Sequence, residues 1–208
     1  MKKRTIITIA IIIAILLIDQ ILKFWVKTHM IIGQEYELIG KNIRLHFTEN
    51  PGMAFGMEFG GNFGKLFLSL FRIVAIAALI YYVIKLIRKK SNTLYISCIS
   101  LVIAGAFGNL IDSMFYGLIF DDSYGQIAKL FPDAGGYATF LHGNVVDMFY
   151  CPIINTVLPE WLPIFGGKPF VFFSPVFNVA DSAITVSVFL MLIFYKKVFK
   201  NLDDVDKC

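Results

Sequence analysis

Leu94-Tyr95-Ile96-Ser97-Cys98-Ile99-Ser100-Leu101-Val102-Ile103-Ala104-Gly105-Ala106-Phe107-Gly108-Asn109-Leu110-Ile111-Asp112 decides the fold. Its first 18 residues carry no charge. As a helix rising about 1.5 Å per residue, such a run is close to the length needed to cross about 30 Å of hydrocarbon. Its end is not inert. Gly105, Gly108, Asn109 and Asp112 stand at i, i+3, i+4 and i+7 and share one helix face. The glycines let another backbone approach closely. An ionisable group in a membrane span is expensive and marks function by default.

The rest of the chain agrees. Of 208 residues, 57% are hydrophobic and only 16% charged, against about 25% charged in an ordinary soluble domain. That balance excludes a soluble globular fold and a disordered chain alike. Four apolar runs stand out, at about 5–26, 66–87, 94–112 and 176–195. The first follows Lys2, Lys3 and Arg4, as in a signal peptide, but no small-x-small cleavage site follows it, so it reads as an uncleaved helix. Ten of the 19 Lys and Arg residues fall in three clusters: before the first run, between the second and third, and after the fourth. Alternation places all three on one side, so both termini are expected in the cytoplasm. The segments of about 27–65 and 113–175 then face outward.

Those outer segments hold structure of their own. Ile43, Leu45 and Phe47 alternate with Arg44, His46 and Thr48, a strand pattern that belongs to a small sheet. The second segment is rich in proline, glycine and aromatic residues and reads as irregular chain lying along the membrane surface. Cys98, Cys151 and Cys208 form no Cys-x-x-Cys, and His29, His46 and His142 show no ligand spacing, so neither metal nor cofactor is expected. No basic stripe interleaved with aromatics suggests a nucleic-acid partner.

The fourth run repeats the polar stripe of the third: Asn178, Asp181, Ser182 and Thr185 share one face. Asp147 lies among apolar residues in Asn144-Val145-Val146-Asp147-Met148-Phe149. If Asp147 and Asp181 converge, both cannot ionise easily, and the pair becomes a base beside a protonated acid. Such a pair activates a water and donates a proton to an amide leaving group. Blander roles compete. Asp19 and Lys23 are an i, i+4 pair that neutralises itself, Asp112 could cap its helix end, Asn50-Pro51-Gly52 could be only a turn, and Arg72 could snorkel to the interface.

Five ordered blocks resemble the lipoprotein signal peptidase (signal peptidase II) family: Asp19-Gln20 with Lys23; Asn50 through Gly56; Gly105 through Asp112; Asn144 through Phe149; and Phe177 through Thr185. The resemblance covers nearly the whole chain. It implies a single membrane-embedded peptidase domain over residues 1–208. The implied fold is all-α, with four transmembrane helices, a small extracytoplasmic β-cradle and an interfacial helix or loop segment. The implied activity is an intramembrane aspartic endopeptidase of the bacterial cytoplasmic membrane. It removes the signal peptide from diacylglyceryl-modified prolipoproteins by cutting before the lipidated cysteine. The active site would face the extracytoplasmic side, the partners would be lipidated precursor and membrane lipid, and the enzyme would be a monomer. Carried over residue by residue, Asp147 and Asp181 are the catalytic pair. Asp19, Lys23, Asn50, Gly52, Asn109, Asp112, Asn178 and Ala180 support them or hold substrate.

Two departures from the family pattern stand out. Ser113 occupies a position where the family commonly has arginine, so Arg72 or Lys129 is expected to substitute. Residues 118–143 form an insertion, expected to act as a lid or partner surface over the site. From the residues alone, two other readings of the polar stripes stay open: a small ion- or proton-coupled transporter, and a non-enzymatic membrane assembly factor.

Overall fold

A computed structural model describes residues 1–40, 42–51 and 61–199. Among the described residues, three helices are long and apolar enough to cross a membrane: Lys2–His29, Phe63–Arg88 and Thr93–Ile119. They comprise α1 (Lys2–His29), α2 (Gly61–Arg88) and α3 (Thr93–Ile111), the last continued through a π turn, Asp112–Tyr116, and α4 (Gly117–Ile119). The link between α2 and α3 is very short and explains their antiparallel pairing. Lys90 takes a left-handed conformation (φ 55°). Its N–H and that of Ser91 bond back to the carbonyls of Ile87 and Leu86, closing α2 as a Schellman turn built on lysine. Asn92 then caps α3, its side chain accepting from the Leu94 N–H at 2.8 Å.

Two boundaries differ from the sequence reading. The third apolar helix does not stop at residue 112, because the π turn carries it on to Ile119. The fourth begins later than 176: Val176–Phe177 is a strand, β6, and Asn178 caps α5 (Val179–Ile193). Helix α5 has 15 residues, about 22 Å at 1.5 Å per residue. It ends at Phe194, after which α6 (Tyr195–Phe199) follows.

The chain is not purely helical. β1 (Glu35–Ile39), β2 (Ile43–Asn50), β3 (Val145–Tyr150) and β6 form an antiparallel sheet in the order β1-β2-β3-β6. β4 (Ile154–Val157) and β5 (Pro169–Phe172) pair separately as a hairpin. As the alternation predicts, Leu45 and Phe47 point inward. They join Val26 and Met30 of α1, Tyr116 and Phe120 beyond α3, and Val146 and Met148 of β3 in one core. That core fastens the sheet to the helices, with Thr48 opposite Asp147 and Asn50 opposite Val145 across β2 and β3.

The 118–143 stretch is anchored in this core. Phe120 and Ala128 are buried in the core, Tyr137 packs against it, and Phe120 bridges Leu130. The chain here closes over the end of α1, where Lys27 is fully buried.

Candidate active site

Helices α1, α3 and α5 approach closely because residues 105 and 108 lack side chains. A Cβ at Gly108 would lie 2.7 Å from Asp19 Oδ2, and one at Gly105 would lie 2.6 Å from Ile184 Cγ1 and closer still to the Ala180 carbonyl. The space so made is filled by charge. Lys23 is fully buried, with its Nζ 2.9 Å from Asp19 Oδ2, 2.8 Å from Asp112 Oδ2 and 2.9 Å from Asn109 Oδ1. All three ammonium hydrogens are thereby used. Gln20 completes the knot by donating to Asp112 Oδ1 at 2.9 Å and Asp19 Oδ2 at 3.2 Å, while accepting from the Tyr116 hydroxyl.

Each carboxylate of this knot also holds a backbone amide. Asp19 Oδ1 accepts from the Ala180 N–H at 2.9 Å, and Asp112 Oδ2 accepts from the Val146 N–H at 3.2 Å. These amides belong to the residues immediately before Asp181 and Asp147. The knot thus fixes the backbone that carries each of the other two aspartates.

Asp147 and Asp181 are surrounded differently. Asn178 Nδ2 donates to Asp147 Oδ1 at 2.7 Å, and Asn50 Nδ2 donates to Asp147 Oδ2 at 3.3 Å. Asn109 Nδ2 donates to Asp181 Oδ1 at 2.8 Å. Asp181 and Asn178 form a reciprocal capping box at the start of α5, which puts the Asp181 carboxylate at the positive end of the helix. The two networks meet at Asn109, whose Oδ1 accepts from Lys23 and from Asn178 Nδ2 at 3.1 Å. One asparagine side chain, Asn178, therefore joins Asp147 to the turn that carries Asp181. Burial first, and then the charge of Asp181, push the Asp147 carboxyl up to about 7, against the hydrogen bonds from Asn50 and Asn178.

Of the residues singled out in the sequence, Asp19, Lys23, Asn50, Asn109, Asp112, Asp147, Asn178, Ala180 and Asp181 thus lie in one connected region, and Gly52 lies outside the described residues. Ala180 contributes its backbone amide and its small size. Arg72 does not snorkel outward: its Nη1 donates to Ser113 Oγ at 3.3 Å. Lys129 is exposed in the 118–143 stretch. Sequence reasoning missed a second buried cluster beside the site. Lys27 Nζ pairs with Glu49 and donates to Ser123 Oγ at 2.8 Å. Asn144 donates to Glu49 Oε2 at 2.9 Å and accepts from Lys65 Nζ at 2.6 Å. The signal was present, because Lys27 continues the Asp19–Lys23 stripe by one more step of four.

Apolar helices gathered around paired carboxylates, with a sheet at one end, define a membrane protein with a candidate acid–base site. Residues 11–197 match the family model described as signal peptidase (SPase) II. A lipoprotein signal peptidase of Porphyromonas gingivalis is 54% identical over 199 residues, covering 95% of this chain and 86% of that protein. Another, from Amoebophilus asiaticus, is 35% identical over 85% of this chain and 72% of its own length. A bacterial membrane enzyme solved by the in meso method at 1.9 Å resolution superposes with a TM-score of 0.59 at 27% identity, covering 90% of this chain and 91% of that one. The chain belongs to the signal peptidase II family. Membership selects the protease from the three readings of the polar stripes.

Proposed function

We propose that this chain is an aspartic endopeptidase of the bacterial cytoplasmic membrane, with Asp147 and Asp181 as its catalytic pair. As a lipoprotein signal peptidase it removes signal peptides from prolipoproteins. The cut falls before a cysteine already carrying diacylglycerol, a substrate that reaches the site from the bilayer. In this reading residues 1–208 form one domain, and α5 with its continuation is the fourth span. Both termini lie in the cytoplasm, the sheet and the site lie at the outer face, and the enzyme works as a monomer.

The observation that carries the reading is the contrast in partners. Among the described residues no cation touches Asp147 or Asp181, and neutral amides hold both. A raised pKa suits Asp147 to carry the proton of the pair. Asp181 then serves as the base of the pair. Asp181 takes a proton from water as the water oxygen bonds to the scissile carbonyl carbon. Asp147 donates its proton to the carbonyl oxygen. When the tetrahedral intermediate collapses, the C–N bond breaks and the departing nitrogen receives a proton from the pair. Asn109 and Asn178 keep the carboxyls aimed at one place.

The test is cleavage of a diacylglyceryl-modified precursor peptide by purified Asp147→Asn and Asp181→Asn variants. Both are expected to be inactive while remaining folded. Wild-type cleavage by either folded variant would remove it from the pair.

A further inference from the structure

Helix α2 turns one polar stripe toward the site: Lys65, Ser69 and Arg72, at i, i+4 and i+7. Lys65 reaches the Asn144 side chain, and Ser69 Oγ donates to the Leu141 carbonyl at 3.0 Å. Both grip the chain leading into β3. Arg72 is the third member and differs from them. It lies 11 residues into α2, on the order of 16 Å from the helix start, which is deep for a guanidinium. It offers five N–H donors. Among the described residues its one hydrogen bond is to Ser113 Oγ at 3.3 Å. The Ser113 hydroxyl proton is already committed to the Asn109 carbonyl at 3.1 Å, so Ser113 serves Arg72 purely as an acceptor. Ser113 follows Asp112 and bonds back to Asn109, whose side chain holds Asp181, so the guanidinium lies beside the aspartate region, and among the described residues it forms no ion pair there.

Among the described residues most donors of this half-buried cation are uncommitted, and beside a site proposed to process carbonyl groups it is built to receive oxygen acceptors. A deeper ion pair would have used those donors up, as it does at Lys23. We propose that Arg72 is a substrate-binding residue whose guanidinium donates to a carbonyl oxygen of the precursor, in the peptide next to the scissile bond or in an acyl ester of its lipid. This rests on the protease reading above. The planar fork of arginine suits paired acceptors better than the ammonium of lysine does. Ser113 holds the fork in place.

The test uses the full-length enzyme in bilayer discs, with kcat and KM measured on a diacylglyceryl-modified precursor peptide. Arg72→Gln is expected to lower kcat/KM by about 10- to 100-fold, the size of one charge-assisted hydrogen bond, with Tm little changed. Arg72→Lys should recover part of the loss. The decisive variant is Arg72→Gln combined with Ser113→Arg. It regrows the guanidinium from the atom that Arg72 already touches, and it is expected to restore most of kcat/KM. A merely structural role would give the opposite pattern, a lower Tm with no rescue. An ether-linked precursor separates the two carbonyl sources: the Arg72→Gln penalty vanishes if the acyl esters are the acceptors and persists if the peptide is. Arg72→Gln within twofold of wild type, in an assay where Asp147→Asn is dead, would overturn the proposal. Cleavage by Asp147→Asn itself would instead strike at the assignment of the pair.

Discussion

Four aspartates, three on helices and Asp147 on strand β3, meet in one connected region, and they divide two and two. Asp19 and Asp112 share a fully buried lysine, and their remaining lone pairs accept from Gln20, Ala180 and Val146. Asp147 and Asp181 share asparagines. A carboxylate locked to an ammonium is a fixed structural charge, and removing its partner strands it in a low dielectric. A carboxyl held by neutral amides can gain or lose its proton with its geometry intact. The same side chain is thus built into an ion-paired strut at one site and left to neutral hydrogen-bond partners at the other. The amide partners of residues 180 and 146 tie the strut to the machinery.

The sharpest way to break this division is to exchange acid for amide on the two sides. Asp147→Asn or Asp181→Asn should cut precursor cleavage by at least about 10³-fold. Asp147→Asn should leave Tm little changed, whereas Asp181→Asn takes the acid out of the capping box of α5 and should cost up to about 1 kcal/mol. Stability should respond the other way round. Lys23→Met leaves two buried carboxylates unpaired and should destabilise by about 3–5 kcal/mol, read as thermal unfolding in detergent. The triple replacement Asp19→Asn, Lys23→Met and Asp112→Asn should recover part of that loss.

Acidity gives the next contrast. Asp147 is raised from the ordinary carboxylate value of 3.8 to about 7, so the folded chain holds its proton more tightly than the unfolded one does. The stabilisation it gives is therefore complete below about pH 4 and is lost as pH rises toward 7. Activity that needs this proton should fall about tenfold per pH unit above 7. Asp147→Asn should flatten the stability profile in that window, as followed by melting temperature against pH. The smallest effect belongs to the exposed edge of the sheet. Glu35 pairs there with Arg44 and His46 in the open. Glu35→Ala should cost no more than about 0.5 kcal/mol and should fade in salt.

Much of this was legible before any coordinates. The i, i+3, i+4, i+7 spacing placed Gly105, Gly108, Asn109 and Asp112 on one face, and hydropathy located the apolar helices. The same spacing put Asn178 and Asp181 on one face, Asp147 stood out among apolar residues, and the resemblance added roles for Asp19, Lys23, Asn50, Gly52 and Ala180. Local pattern could not show which carboxylate meets which partner, because Asp19 meets residue 180 across 161 positions of chain. It could not show the strand at Val176–Phe177 either, since two β-prone residues before a helix read as its first turn. The 118–143 stretch, read as a lid or partner surface from its length and glycines, is anchored through Phe120, Ala128 and Tyr137, whose spacing follows neither helix nor strand. Lys27 and Glu49 are buried beneath that stretch and both bond to its Ser123, a meeting that no local pattern announces.

The pairing of Asp19 with Lys23 inside a single helix also bears on how the protein is made. A lone Asp or Lys at the centre of an inserting helix costs about 2.5–3.5 kcal/mol. In α1 the two can pair one turn apart without help from any other segment. The helix can therefore enter the bilayer as a neutral unit, before Asp112 or residue 180 has been synthesised. Completion comes last, when α5 arrives and its first turn presents the amide that saturates Asp19. That same turn delivers Asp181, so a chain released before α5 lacks both the final strut contact and half of the proposed pair. With the pair assigned as proposed, synthesis in this order would keep the unfinished chain incapable of proteolysis.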